Sequence, residues 1–356
     1  MVTPDVWKGK KVLITGLTGF KGSWLCMALQ MLGADVYGVS LLSEETSLIY
    51  EEVVKTKVLR QHFDIDIRDR IKLNSKITEI NPDVIFHLAA QSLVKTGVDQ
   101  PAKTFETNFL GTMNILEFAR TADKLKSLIV VTTDKVYKNG NKHVDFKEDD
   151  EIWGTDPYSA SKASVEILVS SYVKTFFENK SDVKVLIARA GNVIGGGDSS
   201  PNRIVPDYFR SLAENKELIL RNPDSIRPWQ HVLDCLCGYL MLAEASLKGL
   251  VEQGAAFNFG PSSSDFQTVS NLVSTLNDFA SKADFSKVET TRGPMSFAES
   301  EILTLNSDKA LNTFGWRPAA EFQNSVRLTA EWEITHLNGG DLNRISETQI
   351  RKFLNV

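Results

Sequence analysis

At 356 residues, with 42% apolar and 24% charged side chains, the chain has the balance of a folded soluble protein and the length for one large or two unequal domains. A net charge of −5 excludes a general attraction to nucleic acid or anionic membrane, so any phosphate site must be local. The three cysteines, Cys26, Cys235 and Cys237, form no disulfide framework and no zinc-ligand spacing. The N-terminal MVTPDVWKGKK lacks a signal core and no apolar run reaches the ~18 residues of a membrane span, so a cytoplasmic protein with reduced thiols is expected.

Strand and helix signals alternate through the first half. Lys11 to Thr15 (KVLIT) is a short strand, and Phe20 to Leu32 a mostly apolar helix ended by Gly33. Asp35 to Ser40 and Val58 to Phe63 are the second and third strands, and Arg68 to Ile80 is a helix stopped by Asn81-Pro82. Asp83 to Ala90 (DVIFHLAA) is apolar on both faces, as a central parallel strand should be. A helix from Pro101 to about Ala122 leads to a strand at Ser127 to Thr133; a helix from Pro157 to about Glu178 leads to a strand at Val183 to Arg189. Six strands alternating with helices predict an α/β fold, a doubly wound parallel (Rossmann) sheet with its carboxyl ends along one edge. Beyond Gly191 the texture changes at 195-GGGDSSP-201, and shorter, less regular helices are expected. The reading is a Rossmann domain over 1–187 and mainly a smaller lobe over 188–356, part of which returns to the first.

Three stretches at the strand ends carry chemistry. In 15-TGLTGFKG-22, Gly16, Gly19 and Gly22 let the backbone turn tightly and a diphosphate approach the amides of a helix N-terminus. The second strand closes as Val39-Ser40-Leu41-Leu42, with no acid for a ribose 2′-hydroxyl and no arginine for a 2′-phosphate, a mild preference for NAD over NADP. Asp66-Ile67 offers a carboxylate and an amide to an adenine edge; equally, Asp66 caps the helix near Arg68. In 131-VTTDKVY-137 an acid and an amine stand where a buried strand runs out; in isolation they read as a solvated loop pair. In 157-PYSASK-162, Tyr158 and Lys162 share one helix face, and the neighbouring ammonium favours a phenolate usable as a base.

Together with 86-FHLAAQ-91 and Asn108, these motifs resemble an extended short-chain dehydrogenase/reductase acting on nucleotide sugars, from about Trp7 to about residue 335. The resemblance implies NAD held by Gly16, Gly19, Phe20, Lys21, Gly22, Asp66, Ile67, Ala89, Ala90, Gln91 and Asn108. It implies a catalytic triad of Thr133, Tyr158 and Lys162, the last two also touching the cofactor. His87, inside an apolar strand, is read as packed and structural. The segments 18-TGFKGSW-24, 188-ARAGNVIGGGD-198, 202-NRIVPD-207, 221-RNPDSIRPWQHVLD-234 and 257-FNFGP-261 are similar to the CDP-glucose branch of the nucleotide-sugar 4,6-dehydratases. That branch implies deoxysugar biosynthesis of the kind that feeds lipopolysaccharide, and a substrate set of Asn192, Arg203, Arg227 and His231. A surface salt bridge is an equal reading of Arg203.

A 4,6-dehydration oxidises carbon 4, which acidifies the carbon 5 proton so that the 6-hydroxyl can leave. Tyr158 would take the 4-hydroxyl proton, Lys135 the carbon 5 proton, and Asp134 would serve the departing hydroxyl, with the last two roles open to exchange. A 4-epimerase would need Tyr158 and Lys162 but no elimination pair; a catalytically silent NAD-binding protein would commonly lose one of the two. The chain departs from the branch at Lys95-Thr96-Gly97, at Ser199 in place of tryptophan, and at Ala298 and Asn306 where histidine and aspartate are expected around Glu299. A different base or hexose therefore stays open. Apolar residues beyond one stripe on the helices at 101–122 and 158–178 (Phe105, Phe109, Met113, Leu116, Ile167, Leu168, Tyr172) imply, with the family, a homodimer through a four-helix bundle.

Overall fold

The computed structural model of the protein describes residues 1–42, 46–55, 59–140, 145–178, 182–294 and 301–356. Seven parallel strands form the central sheet: β1 (Lys11–Thr15), β2 (Asp35–Ser40), β3 (Gln61–Asp64), β4 (Val84–His87), β5 (Ser127–Val131), β6 (Lys184–Ala190) and β7 (Ala256–Phe259). Their order is β7-β6-β5-β4-β1-β2-β3, so the chain winds outward from β1 in both directions. The crevice between the carboxyl ends of β1 and β4 is the topological switch point, where such sheets bind ligands. Helices cover both faces, which is why β4 and β5 are buried at every position and read as unbroken apolar runs. Alternate side chains feed two cores: Ile14, Phe86, Ile129 and Leu186 on one face, Leu13, Ile85, Leu128 and Val185 on the other.

The sheet has one strand more than the six expected. Ala256–Phe259, within the FNFGP segment, pairs with β6 in parallel register. A four-residue strand offers too little periodicity to stand out in sequence. Val58, the expected start of the third strand, lies outside the described residues, and β3 begins at Gln61.

Helix α1 (Phe20–Met31) is buried almost all round, Trp24, Leu25, Cys26 and Leu29 included. Helix α2 (Arg70–Ile80) starts later than expected because Asp69 caps it, accepting from the Lys72 amide at 3.1 Å. A short helix α3 (Val94–Asp99) precedes α4, which runs as Pro101–Phe105, a π-turn Glu106–Leu110 and Gly111–Ala119. Helix α5 (Pro157–Tyr172) likewise passes into a π-turn, Val173–Phe177. On these helices Leu116 is buried in the sheet's own core, whereas Phe105, Leu110, Ile167 and Phe176 stay exposed.

Beyond Gly191 the expected shortening of helices is not found. The chain forms α6 (Ile204–Glu214), α7 (Val232–Leu247), α8 (Val269–Lys282), α9 (Phe322–Leu337) and α10 (Leu342–Leu354), of 11 to 16 residues each. Helix α7 is apolar on nearly every face, and so shows no stripe, because it is packed into the core that holds Ile129, Leu186 and Phe257. Helices α6, α8 and α9 build a separate core from Tyr208, Phe209, Leu272, Leu276 and Val326. All three cysteines are free, and among the described residues no helix is long and apolar enough to cross a membrane.

Candidate active site

The glycine turn is dense where it must be and open where a ligand would lie. Gly16 follows β1 with φ +76°, and a Cβ there would meet the Ala89 amide nitrogen at 2.7 Å. A Cβ on Gly22 would lie 2.2 Å from the Gly16 carbonyl oxygen. Gly19, by contrast, has its nearest such neighbour at 3.4 Å and stands at the N-cap of α1 with no side-chain cap. A twelve-residue helix with an uncapped amide end fits a diphosphate.

Behind this turn His87 hydrogen-bonds Thr15 Oγ1 through Nδ1 at 2.7 Å and Thr112 Oγ1 through Nε2 at 2.9 Å. Burial, with Lys162 nearby, pushes its pKa down to about 3, so it is a neutral packing group. Asn108 stands at the end of the Gln91 segment. It is only 1% exposed, and its amide is spent on the Gln91 backbone (2.8 and 3.0 Å) and Ser161 Oγ (2.8 Å). It therefore positions the Gln91 strand end against α5.

Asp66 accepts from the Arg68 amide at 2.9 Å and holds the Arg68 guanidinium at 2.6 Å, a bond that leads the lowering of its pKa. Its capping role falls to Asp69. Ile67 is buried, its carbonyl accepting from Asn114. The end of β2 does acquire an acid, from its neighbour. Asp64 stands opposite Ser40 in the β2–β3 register and accepts from the Leu42 amide at 3.0 Å. No scan of β2 alone could find it.

At the other end of the edge, β5 passes into Thr132-Thr133-Asp134-Lys135. Thr133 Oγ1 donates to Asp134 Oδ1 at 3.1 Å and accepts from the Lys135 amide at 3.3 Å, and its hydroxyl is close enough to Tyr158 to pull on the phenol's proton affinity. Asp156 caps α5 by accepting from the Tyr158 and Ser159 amides at 2.9 and 3.0 Å, which fixes Tyr158 in the first turn and Lys162 one turn on. Lys162 Nζ donates to the Val131 carbonyl at 3.0 Å. Burial, and then the charge of Lys21, push the Lys162 pKa down to about 8, so the amine remains cationic at neutral pH. Burial pushes Tyr158 up to about 12, against the pull of Thr133 and Arg203. The Lys162 ammonium alone does not make a phenolate here; in the protein by itself Tyr158 is protonated.

Asp134 is 1% exposed, and burial raises its pKa despite Lys135, Thr133, Arg227 and Lys21. Its Oδ2 is buried without a hydrogen-bond partner among the described residues. Gly191 makes room for it, since a Cβ there would stand 3.0 Å from Oδ2. A carboxyl biased toward its neutral form, with one oxygen unclaimed, suits a proton donor. Lys135 is half-buried beside it. Lys21 extends further than a turn residue: its Nζ lies 3.4 Å from the Tyr239 hydroxyl, and its charge reaches both Asp134 and Lys162. Gly97, in the unusual Lys95-Thr96-Gly97, lies against Tyr158, whose Cβ and amide nitrogen would both be 3.1 Å from an added Cβ.

The substrate set divides. Arg227 is buried, its Nη1 donating to the Ile226 and Glu301 carbonyls at 2.9 and 3.1 Å, and its charge acts on Asp134. Arg203 pairs with Asp198 at 2.9 Å and donates to Ser92 Oγ at 3.0 Å, while its charge is felt at Tyr158. Ion pair and site-facing cation are thus one arrangement. Asn192 is half-buried, its carbonyl accepting from the Gln230 amide. His231 is fully buried, its Nδ1 accepting from the Leu233 amide at 3.3 Å as the cap of α7, its ring stacked on Phe353 at 5.1 Å. Burial pushes its pKa down to about 3, and its Nε2 is buried without a hydrogen-bond partner among the described residues. Ser199 donates to the Thr46 carbonyl, and Asn306 bonds Asp308 at the start of the helix Asp308–Phe314. Ala298 and Glu299 lie outside the described residues.

The chain matches the family described as GDP-mannose 4,6 dehydratase over residues 13–329. The CDP-glucose 4,6-dehydratase of Salmonella typhimurium strain LT2 is 35% identical over 100% of this chain and 99% of its own length. The dTDP-glucose 4,6-dehydratase of Shigella flexneri is 26% identical over 92% and 94%. Among solved structures, the dTDP-glucose 4,6-dehydratase of Bacillus anthracis in complex with NAD aligns with a TM-score of 0.76 at 24% identity, over 91% of this chain and 96% of that one. The UDP-glucose 4-epimerase of Thermotoga maritima with UDP-glucose aligns at 0.79 and 23%, over 92% and 99%. These structures share the fold. On the extent of the family match and the full-length relative, the chain belongs to the GDP-mannose 4,6 dehydratase family.

Proposed function

We propose that the chain is a lyase that converts a nucleotide hexose, CDP-D-glucose foremost, into its 4-keto-6-deoxy derivative with loss of water, using NAD as a recycled hydride carrier. The observation that carries this reading is the cluster of Thr133, Asp134, Tyr158 and Lys162, in which Thr133 holds a buried carboxyl, biased toward its neutral form, close enough for its charge to act on the phenol. An epimerase has no use for that carboxyl. The full-length likeness to a CDP-glucose 4,6-dehydratase supports the choice of base and sugar.

NAD on the Gly16, Gly19 and Gly22 turn, flanked by Phe20, Lys21, Ala89, Ala90 and Gln91 with Asp66 and Ile67 toward the adenine, would accept hydride from carbon 4 and later return it to carbon 6. Tyr158, beside Thr133, receives the 4-hydroxyl proton, and the Arg203 cation favours its phenolate. Lys135 removes the carbon 5 proton once the 4-ketone has acidified it, and returns a proton to carbon 5 as hydride comes back to carbon 6. Asp134 gives its proton to the 6-hydroxyl, which leaves as water. Arg227, Arg203 and Asn192 offer donors and positive charge to the substrate diphosphate. Deoxysugar biosynthesis, lipopolysaccharide included, is the setting this chemistry serves.

The exposed Phe105, Leu110, Ile167 and Phe176 on α4 and α5 support a homodimer through a four-helix bundle. Free cysteines support a cytoplasmic location. The test is to incubate purified protein and NAD with CDP-glucose, dTDP-glucose and GDP-mannose. A 4-keto-6-deoxy product, fastest from CDP-glucose and without net consumption of NAD, is expected. A 4-epimer in its place would overturn the reading.

A further inference from the structure

We infer that Arg189 is a positioning residue that clamps both ends of the catalytic segment 132–137 with a single guanidinium; the inference rests on the function proposed above. Arg189, near the end of β6, donates through Nε and Nη2 to both carboxylate oxygens of Glu166 at 2.5 to 3.0 Å. Glu166 Oε1 in turn accepts from the Thr132 hydroxyl at 2.7 Å. The remaining arm, Nη1, donates to the Tyr137 hydroxyl at 2.8 Å and the Glu148 carbonyl at 2.9 Å. Tyr137 in turn donates its hydroxyl to Asn258 Oδ1 on β7 at 2.7 Å. One side chain thus holds the residue before Thr133 and the residue after Val136, and between these anchors lie Thr133, Asp134 and Lys135.

The four groups of the clamp are buried and their polar atoms are spent on one another and on the chain around them, so they act through Thr132 and Tyr137. Stability alone is a weak reason for an ion pair in this place, because apolar residues of similar volume commonly hold a core equally well. What a planar, two-pronged guanidinium provides instead is direction. Direction is what the elimination needs, since Asp134 and Lys135 sit on a three-residue turn with little regular structure of its own. Tyr158 and Lys162 are placed by the Asp156 cap and the helix, outside the segment the two anchors enclose. The clamp therefore governs the elimination groups more than the oxidation groups.

The test removes single hydroxyls and leaves the buried ion pair intact. Thr132→Val cuts the link to Glu166, and Tyr137→Phe cuts the link to Arg189 and Asn258 while keeping the ring stacked on Phe146 at 4.9 Å. Each variant is expected to lower kcat about 10-fold and the double variant about 10²-fold, with KM for the nucleotide sugar unchanged. Reduced dinucleotide should accumulate during turnover, because elimination lags oxidation. In the cofactor-free protein, amide hydrogen exchange should quicken about 10-fold in 133–137 and stay unchanged in α5 and the glycine turn. Unchanged exchange in 133–137, in either variant, overturns the clamp whatever the activity. So does a loss in which oxidation and elimination fall together. Should the wild-type protein make no 4-keto-6-deoxy product, it is the proposed function that fails, and the exchange data still decide on the clamp. If Tyr137→Phe does not fold, Thr132→Val alone carries the same readouts.

Discussion

The two ends of one sheet edge handle charge by opposite means. At the ends of β1 to β4 the site is built of backbone: glycines, an uncapped helix terminus and a histidine kept neutral by burial. At the ends of β5 to β7 it is built of buried side-chain charge, with Asp134, Tyr158 and Lys162 each displaced from its ordinary proton affinity. A group that only has to hold a diphosphate gains nothing from titrating, and amide dipoles do the work at any pH. A group that must move protons has to sit where small changes alter its charge. The first end is therefore sensitive to volume, and the second to charge.

Volume should break the first end outright. Gly22→Val forces carbon atoms onto the Gly16 carbonyl and the Leu17 Cα, which a Cβ alone would approach to 2.2 and 2.8 Å. We expect a loss of more than about 3 kcal/mol, seen in thermal unfolding, and no measurable dinucleotide binding.

Charge should act with the opposite sign at the second end. The Lys162 pKa falls from 10.5 to about 8 on folding, so between those values the unfolded chain binds a proton that the folded one has released. Stability from this group therefore rises as pH climbs from about 8 to 10.5, and below about 8 the buried ammonium is a constant cost. Lys162→Met should raise the stability of cofactor-free protein at pH 7 by on the order of 3 kcal/mol and abolish that pH-dependent rise, measured by denaturation at several pH values. Turnover should fall about 10²–10⁴-fold.

The smallest expected effect tests the borrowed acid at the β2 end. Asp64→Arg replaces the carboxylate beside Leu42 with a cation, and we expect dinucleotide preference to move about 10-fold toward NADP in binding titrations, with folding unaffected.

What the sequence disclosed follows the same division. Lys11–Thr15, Ser127–Val131 and the glycine turn are local patterns, and so is the Tyr158–Lys162 pair, because one helix turn makes them neighbours. The helices after Gly191 were harder to foresee, since α7 is buried on nearly all sides and shows no stripe. His231 sits in a motif rich in substrate-binding residue types, yet its ring is turned into α7 and Phe353, and nothing in the motif says which side chain will cap the next helix. Asp64 belongs to the β2 site only through strand register. Glu166, Arg189, Tyr137 and Asn258 converge from α5, β6, the catalytic segment and β7. Contacts of that kind are made by folding and leave no spacing to read.

The central claim is that Asp134 and Lys135 serve the elimination while Tyr158 serves the oxidation. It is tested most directly by following reduced-dinucleotide absorbance and product together in Lys135→Met and Tyr158→Phe supplied with CDP-glucose. In Lys135→Met the absorbance should build toward one equivalent per site while product formation slows about 10²–10⁴-fold, and in Tyr158→Phe neither should appear. Near-wild-type turnover in Lys135→Met, or a slowed variant with no absorbance, would contradict the account.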